Sequence, residues 1–420
     1  MKKLLTMVLV LFSIAASSQE SVVLNQLKTD PKKAYGGDYP YPHDTYQMTV
    51  APSGYEPFYV SLYARHGSRY YWEKRLYIDL DSVMTEAHER HLLTAEGENF
   101  YNRFMAIKDE LMTGATELTQ LGWNQHQHIA RTMYNHFPQV FGKGGDILAI
   151  ASLSGRSVMS MVAFCQELAQ CNPALEIMEW SSRFTLDGVV PDDTENPIKH
   201  KYPRVRPRWE ANKDKFVFTD SLPQKVIERV FTSTDGLPGG ATRIADDLIR
   251  LYTSLPNINH EGLMGNIISD EEIVNRWEYS NLYTYSWVFE PQYNVIPILQ
   301  DIIKKADAVI GGENHRLADL RFGHDTYLGP LTLLMGLNGT DRDPEDPYDV
   351  KNTYQNWQTC KASNIQLVFY RHNNDHSDVL VKCLLNGAEV SMPVSTDCYP
   401  YYKWSDLRDR YIRLCNKFNQ

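Results

Sequence analysis

Residues 63–70, YARHGSRY, place two arginines, a histidine and a glycine side by side at the end of the apolar run FYVSLYA at 58–64. These residue types can seize a phosphoryl group and attack it. A neutral imidazole, with an ordinary pKa of ~6.5, attacks phosphorus through one ring nitrogen while the other donates its proton to a backbone carbonyl, which makes His66 the candidate nucleophile. Arg65 and Arg69 supply permanently charged planar forks that match phosphate oxygens bidentately. Gly67 lets the chain turn sharply and approach a ligand. An isolated Arg-His-Gly arises by chance in roughly a few per cent of chains this long, so the tripeptide needs support from elsewhere.

Two other segments repeat its layout. Residues 146–164 run from an apolar stretch through a small polar turn to Arg156 and then a helical pattern at Val158, Met161, Val162 and Phe164. Residues 317–337 run from a strand-like stretch to Gly323, His324 and Asp325 before another helical pattern. Three strand-to-helix turns of this kind predict an α/β fold whose mainly parallel central sheet, flanked by helices, presents one pocket at its carboxyl edge. Helix amino termini there add anion-binding N–H groups. Arg65, Arg69, Arg156 and His324 would bind phosphate, and Asp325 is left over. An alkoxide leaves poorly, so a carboxylic acid that protonates it lowers the barrier, and Asp325 is the candidate donor. It must carry a proton when substrate binds. Repulsion from a phosphate dianion favours that state and predicts an acidic pH optimum.

Together, Arg65-His66-Gly67-Ser68-Arg69, Arg156 in SLSGRSVMS and His324-Asp325 in GHDTYL resemble the histidine acid phosphatase family, branch two of the histidine phosphatase superfamily, whose exported members include acid phosphatases and phytases. The resemblance covers about residues 55–180 and 290–390. It implies a phosphoglycerate mutase-like architecture with a smaller, mostly α-helical cap over the cleft. It also implies a phosphohistidine at His66, phosphate held by Arg65, Arg69, Arg156 and His324, proton donation by Asp325, and no cofactor or metal. The family motif usually continues to a proline where this chain has Tyr71, and Tyr327 replaces the usual asparagine. The first departure bears on loop rigidity, the second on the leaving-group side of the pocket. The chain also resembles bacterial relatives of the multiple inositol polyphosphate phosphatases, which typically carry His-Ala-Glu at the donor position. Inositol polyphosphate is thus one of the phosphate monoesters the resemblance implies as substrate.

The elements around these turns define the expected organisation. Residues 1–18, with Lys2, Lys3 and the apolar stretch from Leu4 to Ala16, read as a signal peptide cleaved after Ser18 and point to a periplasmic or secreted protein. No later stretch has the length of a spanning helix, and no cysteine precedes Cys165 to take a lipid. Residues 19–180 and 291–420 are expected to form the α/β core, and 181–290, rich in proline, charge and aromatics, the helical cap that sets specificity. Its aromatics Tyr202, Trp209, Phe216, Trp277, Tyr279, Tyr283, Tyr285 and Trp287 read as packing more than as a stacking platform. Helices are predicted over 116–137, 223–232 and 239–254, a strand over 365–371, a hairpin over 379–390 turning at Asn386-Gly387, and a surface loop over 341–352.

A formal charge of −10 disfavours nucleic acid as a partner, and loss of Lys2 and Lys3 with the leader makes the chain more acidic still. A polyanionic substrate must then be drawn by a local basic patch; Lys74 and Arg75 are contributors to weigh against two ordinary solvated charges. His126 and His128 lie two apart on a helix and so face different sides, unlike metal ligands spaced by four. His88 and His91 fail the same test. The six cysteines allow 15 disulfide pairings or none. Two rival readings remain open: a phosphomutase of the superfamily's other branch, and a periplasmic binding protein that captures phosphorylated ligands without turnover.

Overall fold

The computed structural model describes residues 22–42, 46–191, 215–286, 292–342 and 344–417, so the expected leader at 1–18 and Tyr202, Trp209 and Trp287 lie outside the described residues. Runs of alternating apolar side chains become the strands of one sheet: β1 (Tyr55–Arg65), β2 (Gly145–Ala151), β3 (Leu175–Trp180), β4 (Ala318–Gly323), β5 (Asn364–His372), β6 (Val379–Leu385), β7 (Ala388–Val390) and β8 (Tyr402–Lys403). Their order is β3-β2-β4-β1-β5-β6-β7, with β8 on β6. The β3-β2-β4-β1 half pairs in parallel, and the tail strands add an antiparallel half through β5. The Asn386-Gly387 turn takes positive φ at both residues, as a tight two-residue hairpin requires.

The longer helices are α1 (Arg75–Glu89), α2 (Ala95–Gly114), α3 (Gln120–His136), α4 (Gly155–Cys171), α5 (Leu222–Val230), α6 (Gly240–Ser254), α7 (Asp270–Thr284), α8 (Ile296–Ile310), α9 (Asp325–Leu334) and α10 (Trp404–Lys417). Each predicted helix is present with ends shifted by up to four residues; α3 begins only after Thr119, whose hydroxyl accepts from the Gly122 N–H. The stretch expected as a loop over 341–352 instead contains two short helical turns, at Pro347–Asp349 and Val350–Thr353, because Val350 is buried against Leu282, Tyr285 and Tyr354.

Period-two alternation splits the sheet's side chains between two cores. Tyr59 and Tyr63 of β1 face a cluster completed by α8, α9 and α10, whereas Val60, Leu62 and Ala64 face Ile129 and Met133 of α3 and Met161 and Phe164 of α4. A third cluster unites the apolar faces of α1 and α2 with those of α5, α6 and α7. All six cysteines are unpaired, four of them buried. No helix among the described residues is long and apolar enough to cross a membrane.

Candidate active site

Strands β2, β4 and β1 are neighbours and run in parallel, so the three turns that leave them open side by side. Arg65 pairs in register with Gly323, and Ala151 with Phe322. The ladder continues past the strand ends: the His66 N–H donates to the Gly323 carbonyl at 3.0 Å and the Ser152 N–H to that of Phe322 at 3.0 Å. His66, Arg156 and His324 are thereby delivered to one edge by backbone pairing alone.

The catalytic-type loop after β1 is pinned on all sides. Gly67 donates to Ser160 Oγ at 3.0 Å, and that hydroxyl donates to the Arg156 carbonyl at 2.8 Å, tying the loop to the first turn of α4. Ser68 N–H donates to Gln125 Oε1 at 2.8 Å, and Ser68 Oγ donates to Asn257 Oδ1 at 2.7 Å. Where the family pattern would place proline, the Tyr71 N–H donates to Tyr77 Oη at 2.9 Å and the Tyr71 carbonyl accepts from Thr116 at 3.0 Å. Proline has no N–H to give, so here hydrogen bonds supply the anchoring that a ring would. Tyr327 is buried in the core facing α8 and α10, its ring 6.4 Å from that of His324.

His66 is 2% exposed. Its Nδ1 lies 2.9 Å from the Gly67 carbonyl, which can only accept, so the ring proton sits on Nδ1 and Nε2 keeps its lone pair. Burial pushes the imidazole well below its ordinary pKa, and Arg69, Arg65 and Arg156 push it further, so the ring is neutral. His324, its ring 5.5 Å from that of His66 and its Nε2 3.0 Å from Ser152 Oγ, is held neutral by burial and by Arg156. The Nε atoms of Arg65, Arg69 and Arg156 are buried without a hydrogen-bond partner, and all three guanidiniums act on the His66 ring, although Arg156, His66 and His324 lie behind rather than in the lining of the cleft that Arg65 and Arg69 share.

Asp325 opens α9, with Oδ1 accepting from the Thr326 N–H at 3.0 Å and Oδ2 paired to Arg65 Nη2 at 2.9 Å. Burial alone would raise its carboxyl, but Arg65, Lys361 and Arg69 hold it well below the usual range, so it is ionised before any ligand arrives. Arg65, Arg69 and Asp325 line a cleft of about 480 Å³ that continues to α6 and α7. A volume of this order suits a small-molecule site. Arg250 and Arg276 line its outer part, as do Tyr279 and Tyr283, which therefore serve the cleft rather than the core, while Trp277 is buried. Lys74 is exposed and Arg75 pairs with Asp79 at 2.5 Å, both away from this lining. His126 is fully buried against the rings of Phe164 and Phe322. No group of three or more His, Cys, Asp or Glu side chains among the described residues could hold a metal ion.

Sequence patterns alone do not reveal Lys361 or Asp38. Lys361, fully buried, places Nζ 2.6 Å from Asp38 Oδ1, and Asp38 lines the cleft beside Arg65 and Arg69. They lie 323 residues apart, and neither belongs to a recognisable motif.

No family sequence model matches the chain, and no similar sequence is found among curated proteins. Solved structures do match. A Bifidobacterium longum multiple inositol polyphosphate phosphatase, in complex with inositol hexasulfate, aligns with a TM-score of 0.74 and 18% identity over 90% of this chain and 97% of that one. The phytase of D. castellii aligns at 0.65 with 15% identity over 92% and 88%. A Hafnia alvei phytase in complex with tartrate aligns at 0.53 with 12% identity over 87% and 98%. The chain thus has the α/β fold of these phosphatases, the architecture implied by its Arg-His-Gly and His-Asp motifs.

Proposed function

We propose that the protein is an exported phosphomonoesterase of the histidine acid phosphatase type, acting on inositol polyphosphates. The observation that carries this reading is the neutral His66 with its proton fixed on Nδ1, beside three arginines whose buried Nε donors are unpartnered. Arg65, Arg69, Arg156 and His324 clasp the phosphoryl group. Nε2 of His66 attacks phosphorus, forming the P–N bond as the ester P–O bond breaks, and the departing oxygen takes a proton from Asp325. Substrate must therefore reprotonate Asp325: the incoming phosphate claims the Arg65 guanidinium, and the nearby anion raises the carboxyl. Water then attacks phosphorus, giving its proton to the Asp325 carboxylate, while the P–N electron pair returns to Nε2 and phosphate leaves.

The outer cleft supports a substrate with several phosphates, since the exposed Arg250 lines it beyond the first phosphate position, next to Arg276, which is paired with Asp220 and has Asp246 at 3.7 Å. Both arginines belong to helices whose apolar faces join α1 and α2 in the third cluster, and both lie within the 181–290 cap to which this reading assigns substrate recognition. Rapid mixing with a radiolabelled phosphomonoester followed by alkaline quench tests the reading: a base-stable, acid-labile phosphoryl group should remain on the wild type and be absent from His66→Ala, which should lose turnover while keeping its fold. A wild type that binds phosphate but accumulates no such group, or a His66→Ala variant with ordinary activity, would refute it. Phosphate release from a panel of inositol hexakisphosphate, sugar phosphates and an aryl phosphate decides the substrate class.

A further inference from the structure

Asp38 sits in a cleft built for an anion. It lines the wall with Arg65 and Arg69, and its backbone carbonyl is held by Asn257 Nδ2 at 2.8 Å. A carboxylate next to a guanidinium ordinarily forms a charge-assisted pair. Asp325 does so with Arg65 at 2.9 Å. Asp38 instead gives Oδ1 to Lys361 at 2.6 Å, and Arg69 spends Nη1 on its neighbour's carbonyl, that of Tyr70, at 2.9 Å. Lys361 is an expensive residue to place here. It is fully buried between buried Cys360 and Ala362, its N–H bound to the Tyr39 carbonyl at 2.9 Å, and a desolvated ammonium costs several kcal/mol unless a partner offsets it.

We propose that Lys361 is a positioning residue that holds the Asp38 carboxylate off Arg69 and so keeps that guanidinium open to the phosphoryl group of the substrate. This rests on reading the cleft as a phosphate site. Without the ammonium, Asp38 turns to the nearest cation and occupies Arg69 as an internal competitor. The charged groups facing the pair are Arg65, Arg69 and Asp325. Burial, then Arg65 and Arg69, lower Lys361 to about 7, with Asp38 opposing them, so below neutral pH the pair is ionised on both sides.

The test measures inorganic phosphate binding by calorimetry at about pH 5, where Lys361 is charged, alongside steady-state kinetics on an aryl phosphate. Lys361→Met should weaken phosphate binding and raise KM about tenfold, with a smaller change in kcat, because one charged pair is replaced by another that blocks the site. Asp38→Asn should bind phosphate at least as tightly as the wild type. The double variant Lys361→Met/Asp38→Asn should return to within about threefold of it, since the competitor has gone with its restraint. Damage to the fold would move all three variants the same way, and melting temperatures record it. A double variant no better than Lys361→Met, or wild-type binding in Lys361→Met, overturns the proposal. If Lys361→Met does not fold, Asp38→Asn decides alone: binding about tenfold weaker than wild type overturns it. A wild type that binds phosphate in this order of variants but turns nothing over would sink the enzymatic reading and leave the pair's role standing.

Discussion

Gly122 touches no substrate in the proposed reaction, yet its replacement by alanine should nearly silence the enzyme. It lies in the first turn of α3 with its backbone against the loop after β1: a Cβ there would meet the Ser68 carbonyl oxygen at 2.2 Å and the Ser68 nitrogen at 2.7 Å. Gly67 shows the same closeness from the other side, since its own Cβ would meet the Gly122 carbonyl oxygen at 2.4 Å. Ordinary contact begins at 3.4 Å, so helix and loop must part by about 1.2 Å to admit the methyl group. The loop has no slack to absorb this, because Ser68 is bonded to Gln125 and Asn257 and Gly67 to Ser160. His66 is two residues from Ser68 and moves with it. A misplacement of about 1 Å costs about 10²-fold in rate, or about 2.7 kcal/mol of barrier. Helix propensity works the other way, favouring alanine over glycine by about 1 kcal/mol, so the melting temperature should change far less than kcat. The assay is kcat on an aryl phosphate with the phosphoenzyme burst rate beside it. Gly262→Ala, where nothing lies within 4 Å of the added carbon, is the control. A Gly122→Ala variant with kcat within about threefold of wild type and unchanged stability would refute the argument from close approach.

Arg250→Ala should raise KM for inositol hexakisphosphate by about tenfold and that for an aryl monophosphate much less, with the difference shrinking at high salt, because Arg250 is an exposed charge on the outer wall of the cleft. Equal effects on both substrates would contradict its role in reading a second phosphate. Chemical denaturation across pH 4–7 should show stability falling toward acid. His66 and His126 are buried and neutral, with pKa values pushed well below 6.5 and to about 3 by burial, so below 6.5 the unfolded chain binds protons that the native state refuses. Each contributes up to about 1.4 kcal/mol per pH unit over that window, and a stability curve flat from pH 6.5 to 4.5 would contradict the neutral assignment.

The strand-turn-helix units around His66, Arg156 and His324 were legible because each is local: an apolar run, a small turn and a helical period lie within about 20 residues, and parallel strands then bring their carboxyl ends to one edge. The hairpin at Asn386-Gly387 was legible for the same reason. What escaped depends on partners far along the chain. Nothing near Asp38 announces Lys361, and nothing near Ser68 announces Asn257, 189 residues away. Tyr71 shows what a departure from pattern leaves open. The absence of proline bears on loop rigidity, and here the N–H that proline lacks is the one that binds Tyr77. Aromatic content within 181–290 suggested core, and Trp277 obeys, but Tyr279 and Tyr283 face the cleft, a choice set by which side of α7 each occupies.

Charge explains why these parts belong together. Arg65, Arg69, Arg156 and Lys361 bring four positive charges to the site, and Asp38 and Asp325 bring two negative ones. With His66 and His324 neutral, these groups leave a positive surplus that suits a phosphomonoester dianion, lowered by Glu117 beside Arg156 and raised when substrate binding protonates Asp325. That surplus stands inside a chain whose formal charge is −10, so attraction is a property of the cleft, felt within roughly a Debye length of ~8–10 Å. The guanidiniums that would bind phosphate in the proposed reaction also keep the proton off His66, so in that reaction capture and nucleophilicity are two consequences of one field. In that reaction, neutralising any of the three arginines should remove a phosphate contact and, in the same stroke, let the imidazole take up a proton more readily in acid. The resulting loss of activity should exceed what the missing contact alone would cost, and most of all at low pH.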